Sequence, residues 1–325
     1  MDDGEEDLQA VEDALIPPDD EVEVALSKVV GLDHVKNQVR GLRRTIELER
    51  LRPRDGGVKG VNGNVAVVAD RILPRHLSII GNPGSGKTYV SRILAPLLFR
   101  IGAVPTPNFV EVGRDELVDR KSESRTIQKT QRMLEKASGG VLFVDEAYTL
   151  LPSVARPRGR DHGAAALKEI ARSLPSSSPL VILAGYPGDL QRVMVSNIGF
   201  RGNFLLKVEL PDPTPAEVSR IFLMKLGRKG LVPGEGLSVG YLADLIESHT
   251  DEDWRAERNG RVAELLLQAV RGEVKRRVAG GETDSRGSIM GYKPLSPLSQ
   301  KGPVTPPEEV VVTVEDVQNA VMNGL

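Results

Sequence analysis

Apolar residues recur along this chain in two rhythms, and the change from one to the other divides it. Val35, Val39, Leu42 and Ile46 follow one another at three- and four-residue steps, which predicts an amphipathic helix ending near Arg52 and Pro53. The Gly-rich stretch from Asp55 to Asn64 reads as a loop. From residue 77 the pattern shortens to the runs Leu77–Ile80, Phe109–Val112, Val141–Val144, Leu180–Ala184 and Leu205–Leu210, separated by helix-length segments. Such runs predict strands buried on both faces, hence a parallel α/β sheet with helices on both sides. Past Pro211-Asp212-Pro213-Thr214-Pro215 the helical rhythm takes over, at Val218, Ile221, Phe222 and Lys225, then Leu242, Leu245 and Ile246, then Val262, Leu265, Leu266 and Ala269. The proline cluster therefore reads as a domain boundary. Residues 279–308 are rich in Gly, Ser and Pro and read as a flexible loop. Val310–Val314 is a candidate short strand, and Thr313 with Asp316 resembles a capping box before a last helix.

Composition changes this picture in three ways. Hydrophobic residues at 40% and charged residues at 27% predict a soluble globular chain. The absence of cysteine excludes disulfides, thiol catalysis and thiolate metal sites, while the scattered His34, His76, His162 and His249 lack metal-ligand spacing. No apolar run is long enough to span a bilayer. The acidic N-terminus is unlike a signal or transit peptide, so an intracellular, cytoplasmic location is expected. Net charge is −2, yet residues 1–24 hold eleven acids and no base, leaving the body mildly basic. Residues 1–25 read as a disordered acidic leader, with docking of that segment on a basic surface as the alternative. Dispersed basic residues and 4% aromatics argue against a nucleic-acid partner.

The candidate chemistry lies at the first strand's end. Gly81-Asn82-Pro83-Gly84-Ser85-Gly86-Lys87-Thr88 fits the phosphate-loop pattern between a predicted strand and a predicted helix. Glycines let backbone N–H groups turn toward phosphates, the helix N-terminus adds positive potential, Lys87 reaches the outer phosphates and Thr88 ligates magnesium. Pro96 falls inside that helix and predicts a kink there, which costs about 3 kcal/mol. A second element, Val141-Leu142-Phe143-Val144-Asp145-Glu146-Ala147, is an apolar strand ending in two acids. It reads as a magnesium-binding acid, Asp145, and a carboxylate that activates water, Glu146.

In order and spacing these residues resemble the AAA+ ATPases, in the CbbX and SpoVK-like branch that includes red-type rubisco activases. The similarity runs from about Val30 to Val270. It includes Val30-Gly31-Leu32, the phosphate loop, Arg114-Asp115-Glu116-Leu117-Val118, Gly139 to Tyr148, Asp161 and Gly163, Val181 to Tyr186, Asn197 and Gly199, Pro211-Asp212, and Asn259-Gly260-Arg261. The resemblance implies a five-stranded parallel sheet over residues 26–210 and a small helical lid over 211–325. It also implies a ring, usually hexameric, in which ATP and Mg2+ turnover remodels a client protein. By position it assigns Asn82 to Thr88 to phosphate binding, Thr88 and Asp145 to magnesium, Glu146 to the attacking water, Gly31 and Leu32 to the adenine side, Tyr186 to the sensor 1 region and Arg261 to the lid arginine.

Two positions depart from that branch. Lys121 stands where the pore tyrosine belongs, and lysine lacks the flat apolar surface that grips a threaded chain. Asn203 stands where an arginine normally precedes Phe204, with Arg201 two positions earlier as the candidate arginine acting across subunits; such an arginine contributes about 10³–10⁵ in rate. Three functions follow: an ATP-hydrolysing remodeller, a hydrolysis-poor nucleotide-binding subunit of a mixed ring, and a small-molecule phosphotransferase, the last fitting the Asp-Glu pair least.

Overall fold

A computed structural model describes residues 20–51, 76–152, 161–176, 178–280 and 310–324 of the 325-residue chain. The loop expected at 55–64, most of that at 279–308 and residues 1–19 of the leader lie outside the described residues. The chain divides into two compact units, Met1–Pro211 and Asp212–Leu325.

Each of the five apolar runs forms a strand: β1 His76–Gly81, β2 Phe109–Val112, β3 Val141–Val144, β4 Leu180–Gly185 and β5 Phe204–Leu210. All pair in parallel, in the order β2-β3-β4-β1-β5. The fold class is the α/β one that the apolar runs predict. Strands β1, β3 and β4 are buried along their length, whereas edge strand β2 turns Glu111 outward to a bidentate pair with Arg92, at 2.9 and 3.0 Å.

Alternation along the strands sorts their side chains into two cores. Leu77, Ile79, Phe143 and Ile182 face α1 (Glu21–Ser27), α2 (Asp33–Leu51) and α3 (Lys87–Arg100), meeting Val22, Leu26, Val35, Val39, Ile46 and Leu94. Leu142, Val144, Val181 and Leu183 face the other side. There α4 (Arg114–Leu117), α5 (Glu123–Lys136), α6 (Gly163–Ser173), α7 (Pro187–Ser196) and α8 (Ile198–Arg201) contribute Leu117, Leu134, Ile170, Leu190 and Phe200. Each such side chain contributes about 1.5–3 kcal/mol of burial. Helix α3 runs unbroken through Pro96, and Leu97 and Leu98 beyond it are both buried, so core packing offsets the bond the proline removes.

The end of the expected disordered leader is corrected. Residues 21–25 begin α1, whose N-terminus is capped by Asp20 accepting from the Val22 N–H at 2.9 Å. Glu23 takes both nitrogens of Arg40, at 3.0 and 2.7 Å; Asp20 pairs with Arg43 and Glu21 with Arg100. Burial disfavours the Asp20 charge, but Arg43 and the capping N–H outweigh it and hold the carboxyl below its ordinary value. With Val22 and Leu26 buried beneath these pairs, Asp20 and Glu23 are packed, while Glu21 stays exposed.

His76, which the sequence leaves without a role, is fully buried and ties β1 to β4 and its approach. Its Nδ1 accepts from the Val181 N–H and its Nε2 faces the Leu174 carbonyl, both at 2.9 Å, which specifies the neutral Nε2–H tautomer. His76→Phe keeps the ring but strands a buried donor and a buried acceptor. It is expected to cost about 2–4 kcal/mol, read as a lower urea midpoint at unchanged slope.

The second unit is helical: α9 Pro215–Arg228, α10 Val239–His249, α11 Glu252–Arg258, α12 Arg261–Gly280 and α13 Val314–Gly324. Thr214 and Glu217 form a capping box with Pro215 in the first turn, which is how the proline cluster starts a helix while ending a strand. Val218, Phe222, Leu242, Ile246, Val262 and Leu266 share one core; Leu265, from the same periodic set, stays 37% exposed. A two-stranded parallel ribbon, β6 Leu231–Pro233 with β7 Val310–Val312, completes the unit. Thr313 accepts from the Asp316 N–H at 3.2 Å and Asp316 from the Thr313 N–H at 2.9 Å, the box expected before α13. Among the described residues no helix is long and apolar enough to cross a membrane.

Candidate functional site

The parallel register brings three strand ends to one place. Ile80 of β1 pairs with Gly185 of β4, and Val144 of β3 with Leu183 of β4, so the residues leaving β1, β3 and β4 emerge side by side at the carboxyl edge. In open α/β sheets, ligands bind in the crevice outside this edge.

From β1 the chain turns through Gly81–Gly86 into α3. Gly81 is required by close approach: a Cβ there would stand 2.5 Å from Ser85 Oγ and 2.8 Å from the Leu210 carbonyl oxygen. Gly86, the N-cap of α3, has φ 93°, which glycine adopts without steric cost, and it offers no side-chain cap to the helix's first N–H groups. The Ser85 hydroxyl is buried with no hydrogen-bond partner among the described residues. An uncapped helix N-terminus beside an orphaned hydroxyl suits an anion with several acceptor oxygens.

Lys87 folds back along the loop. Its Nζ donates to the Gly81 and Asn82 carbonyls, both at 2.9 Å, and lies 5.0 Å from the centre of the Tyr186 ring. Asn82 also accepts from the Ser85 N–H at 3.2 Å, and Pro83 and Gly84 complete the turn, with Gly84 at φ 77°. The next residue, Thr88, donates its hydroxyl to Asp145 Oδ2 at 2.8 Å. Asp145 Oδ1 in turn accepts from the Glu146 N–H at 2.9 Å. Glu146 itself is exposed and left-handed, at φ 47° and ψ 47°, a conformation that costs a non-glycine residue on the order of 1–3 kcal/mol. β3 ends at Val144, and the left-handed Glu146 leads the chain into the turn Ala147–Leu150.

The structure thus brings Asn82, Lys87, Thr88, Asp145 and Tyr186 into direct contact around the loop, with Glu146 adjacent. Gly31 and Leu32 form a consecutive left-handed pair, φ 62° and 58°, at the entry to α2, where the Leu32 carbonyl accepts from the Val35 and Lys36 N–H groups at 2.9 and 3.1 Å. Tyr89, next to Thr88, donates to the Lys28 carbonyl at 3.3 Å and so ties this entry to α3.

Two candidates lie on other elements of the chain. Arg201 ends α8 exposed, with no side-chain partner among the described residues, and Asn203 behind it donates to the Gly199 carbonyl at 2.7 Å. Arg261 opens α12 in the second unit, exposed, after the buried Asn259, whose φ is 51°. Lys121 is exposed in a turn where Asp119 Oδ1 accepts from the Lys121 and Ser122 N–H groups at 2.8 and 3.1 Å.

Sequence reasoning assigned no role to Tyr148 and none beyond resemblance to Arg114, Asp161 and Gly163. Arg114 donates to Asp161 Oδ1 and to the Thr149 carbonyl, both at 2.5 Å, and Asp161 Oδ1 also accepts from the Gly163 N–H at 3.1 Å. That group staples α4 to the start of α6 and to the turn after Glu146. No local signal marks it, because its members lie 47 residues apart.

Comparison with known proteins agrees with this geometry. Residues 77–199 match the family described as "ATPase family associated with various cellular activities (AAA)". The chain is 31% identical over 250 residues to the chloroplastic ribulose bisphosphate carboxylase/oxygenase activase of Cyanidioschyzon merolae, covering 75% of this chain and 80% of that one. It is 35% identical over 197 residues to protein CbbX of Cereibacter sphaeroides, covering 60% of this chain and 59% of that one. Among solved structures it superposes on the FIGL-1 AAA domain with a TM-score of 0.56 at 15% identity, covering 92% of this chain and 83% of the other, a likeness of fold alone. The chain belongs to the AAA ATPase family, related to CbbX, CfxQ and the red-type rubisco activase.

Proposed function

We propose that this AAA protein binds ATP with Mg2+ at the carboxyl edge of the sheet and hydrolyses it to remodel a protein partner within a ring of subunits. The observation that carries the reading is the 2.8 Å bond from Thr88 to Asp145, which sets two hard oxygen ligands together beside the lysine of a phosphate loop. The residues present suit the group: an orphaned Ser85 hydroxyl, a Gly81 that leaves no room for a side chain, and an uncapped helix end favour a polyphosphate.

In this reading the loop's N–H groups and Lys87 bind the phosphates, while Thr88 and Asp145 hold the magnesium ion. Bound there, the ion neutralises charge on the outer phosphates during transfer to water. Glu146 accepts hydrogen bonds from the attacking water and orients it. Gly31 and Leu32 border the adenine, and Tyr186 faces the phosphate end through Lys87. Arg261 and Arg201 add positive charge, from the lid and from a neighbouring subunit respectively.

A second reading is favoured by one feature. Asn203 occupies the arginine position and is tied to the Gly199 carbonyl, and Arg201 is the remaining guanidinium on that segment. A chain so built holds ATP but turns it over slowly unless a subunit with the arginine sits beside it. Turnover of the purified chain, alone and mixed with a paralogue carrying arginine and tyrosine at the positions of Asn203 and Lys121, separates the two. Phosphate release by the chain alone supports the first reading, release only in the mixture supports the second, and no retention of labelled ATP on equilibrium dialysis sinks both.

A further inference from the structure

Two tyrosines at this edge belong to no motif of the phosphate loop, yet they are built into it. Tyr186 leaves β4 immediately after Gly185, which pairs with Ile80, so the register alone sets its ring beside the start of the loop. Tyr148 lies in the single turn of 3-10 helix Ala147–Leu150 that follows Asp145 and Glu146. The two rings approach to 5.2 Å between centroids, and the Tyr148 ring covers the bare face of Gly185, where a Cβ would stand 3.5 Å from its Cδ1. Both tyrosines are half-buried. Burial is the main cause that pushes the Tyr148 phenol well above its ordinary value.

The geometry points to Tyr148 and Tyr186 as positioning residues for Lys87: Tyr186 presents its ring face to the ammonium, and Tyr148, whose ring packs against that of Tyr186, fixes its plane. Three restraints then surround one Nζ, the two loop carbonyls at 2.9 Å and the ring at 5.0 Å. A flexible lysine loses rotamer freedom when it grips a phosphate, and a side chain already confined loses less. The carbonyls attract the cation from one side, and the aromatic face attracts it from another without offering a competing anion. The arrangement also joins the Asp145-Glu146 strand end to the phosphate loop by a second route, besides the Thr88–Asp145 bond.

This inference rests on the nucleotide reading, and its test is arranged to tell the two apart. Affinity for fluorescent ATP is measured for the whole chain carrying Tyr186→Leu, Tyr186→Phe, Tyr148→Leu or both leucines, with thermal midpoints recorded for each. Tyr186→Leu removes the ring face and is expected to weaken ATP binding about tenfold. Tyr186→Phe keeps the ring and is expected to bind within about twofold of wild type, whereas Tyr148→Leu removes the ring packed on Tyr186, for a loss of about two- to threefold. The double leucine variant is expected to be no weaker than Tyr186→Leu alone, because Tyr148 acts only through Tyr186.

A spectroscopic reading needs no nucleotide: the ε-methylene resonance of Lys87, assigned with Lys87→Arg, should lie upfield of other lysines. It should return to their range in Tyr186→Leu but not in Tyr186→Phe. A Lys87 resonance unmoved by Tyr186→Leu, ATP affinity within twofold of wild type in that variant, or multiplying losses in the double leucine variant would each overturn the proposal. Wild-type protein that takes up no ATP at all defeats the nucleotide reading and the proposal with it.

Discussion

Glu146→Gln is expected to lower ATP turnover about 10²–10⁴-fold while leaving ATP affinity within about threefold, the range over which a positioned acid–base group accelerates proton transfer. The separation follows from what holds each acid. Asp145 is oriented by the Thr88 hydroxyl on one oxygen and by the backbone N–H of residue 146 on the other, so its placement does not depend on the side chain at 146. The Glu146 side chain is exposed, and glutamine matches its size without accepting a proton. Phosphate release and retention of labelled ATP, measured on one preparation, check the split. An equal fall in both would mean that residue 146 supports the loop's structure. Turnover that is already very low in the wild type and rises in mixed assemblies places the measurement there, with the same ratio expected.

The largest expected effect on stability is at the staple beside the site. Asp161→Ala removes the carboxylate from Arg114, whose side chain is 20% exposed against 10% for Asp161, and leaves the Gly163 N–H at the head of α6 without its acceptor. Breaking such a partly buried pair from one side costs about 3 kcal/mol, a fall of roughly 6–12 °C in the melting midpoint of a unit this size. Asp161→Asn retains an acceptor for Gly163 and is expected to recover about half of that. Differential scanning calorimetry decides it. A midpoint unchanged in Asp161→Ala would show that the Thr149 carbonyl alone suffices for Arg114.

Legibility in the sequence followed the range of the forces involved. The central strands β1, β3 and β4 could be read because each buries both faces within four to six residues, while β2 and β5 keep an apolar inner face that alternates with the exposed Glu111, Lys207 and Glu209. The phosphate loop could be read because its geometry is local: Gly81 must clear Ser85, four residues on, and Gly86 must turn left-handed just before the helix. The end of the leader misled for a related reason. Asp20, Glu21 and Glu23 close a run of acids without a base and read as solvated until Arg43, Arg100 and Arg40 arrive from helices that the composition of residues 1–24 cannot announce. The left-handed Leu32 and Glu146 were equally silent, since neither residue type favours that conformation and only the surrounding packing imposes it.

What the amino-acid order determined by itself is the class of the fold, the place of the phosphate loop and the identity of the acids after β3, because these depend on neighbours within a few positions. The tertiary structure alone decided that Thr88 meets Asp145 across 57 residues, that His76 joins β1 to the approach and first residues of β4, and that Tyr148 meets the Tyr186 ring that faces Lys87. Those contacts arise where parallel strands align their ends, and a register between segments far apart in the chain is set by the packing of both sheet faces together, which no single segment encodes.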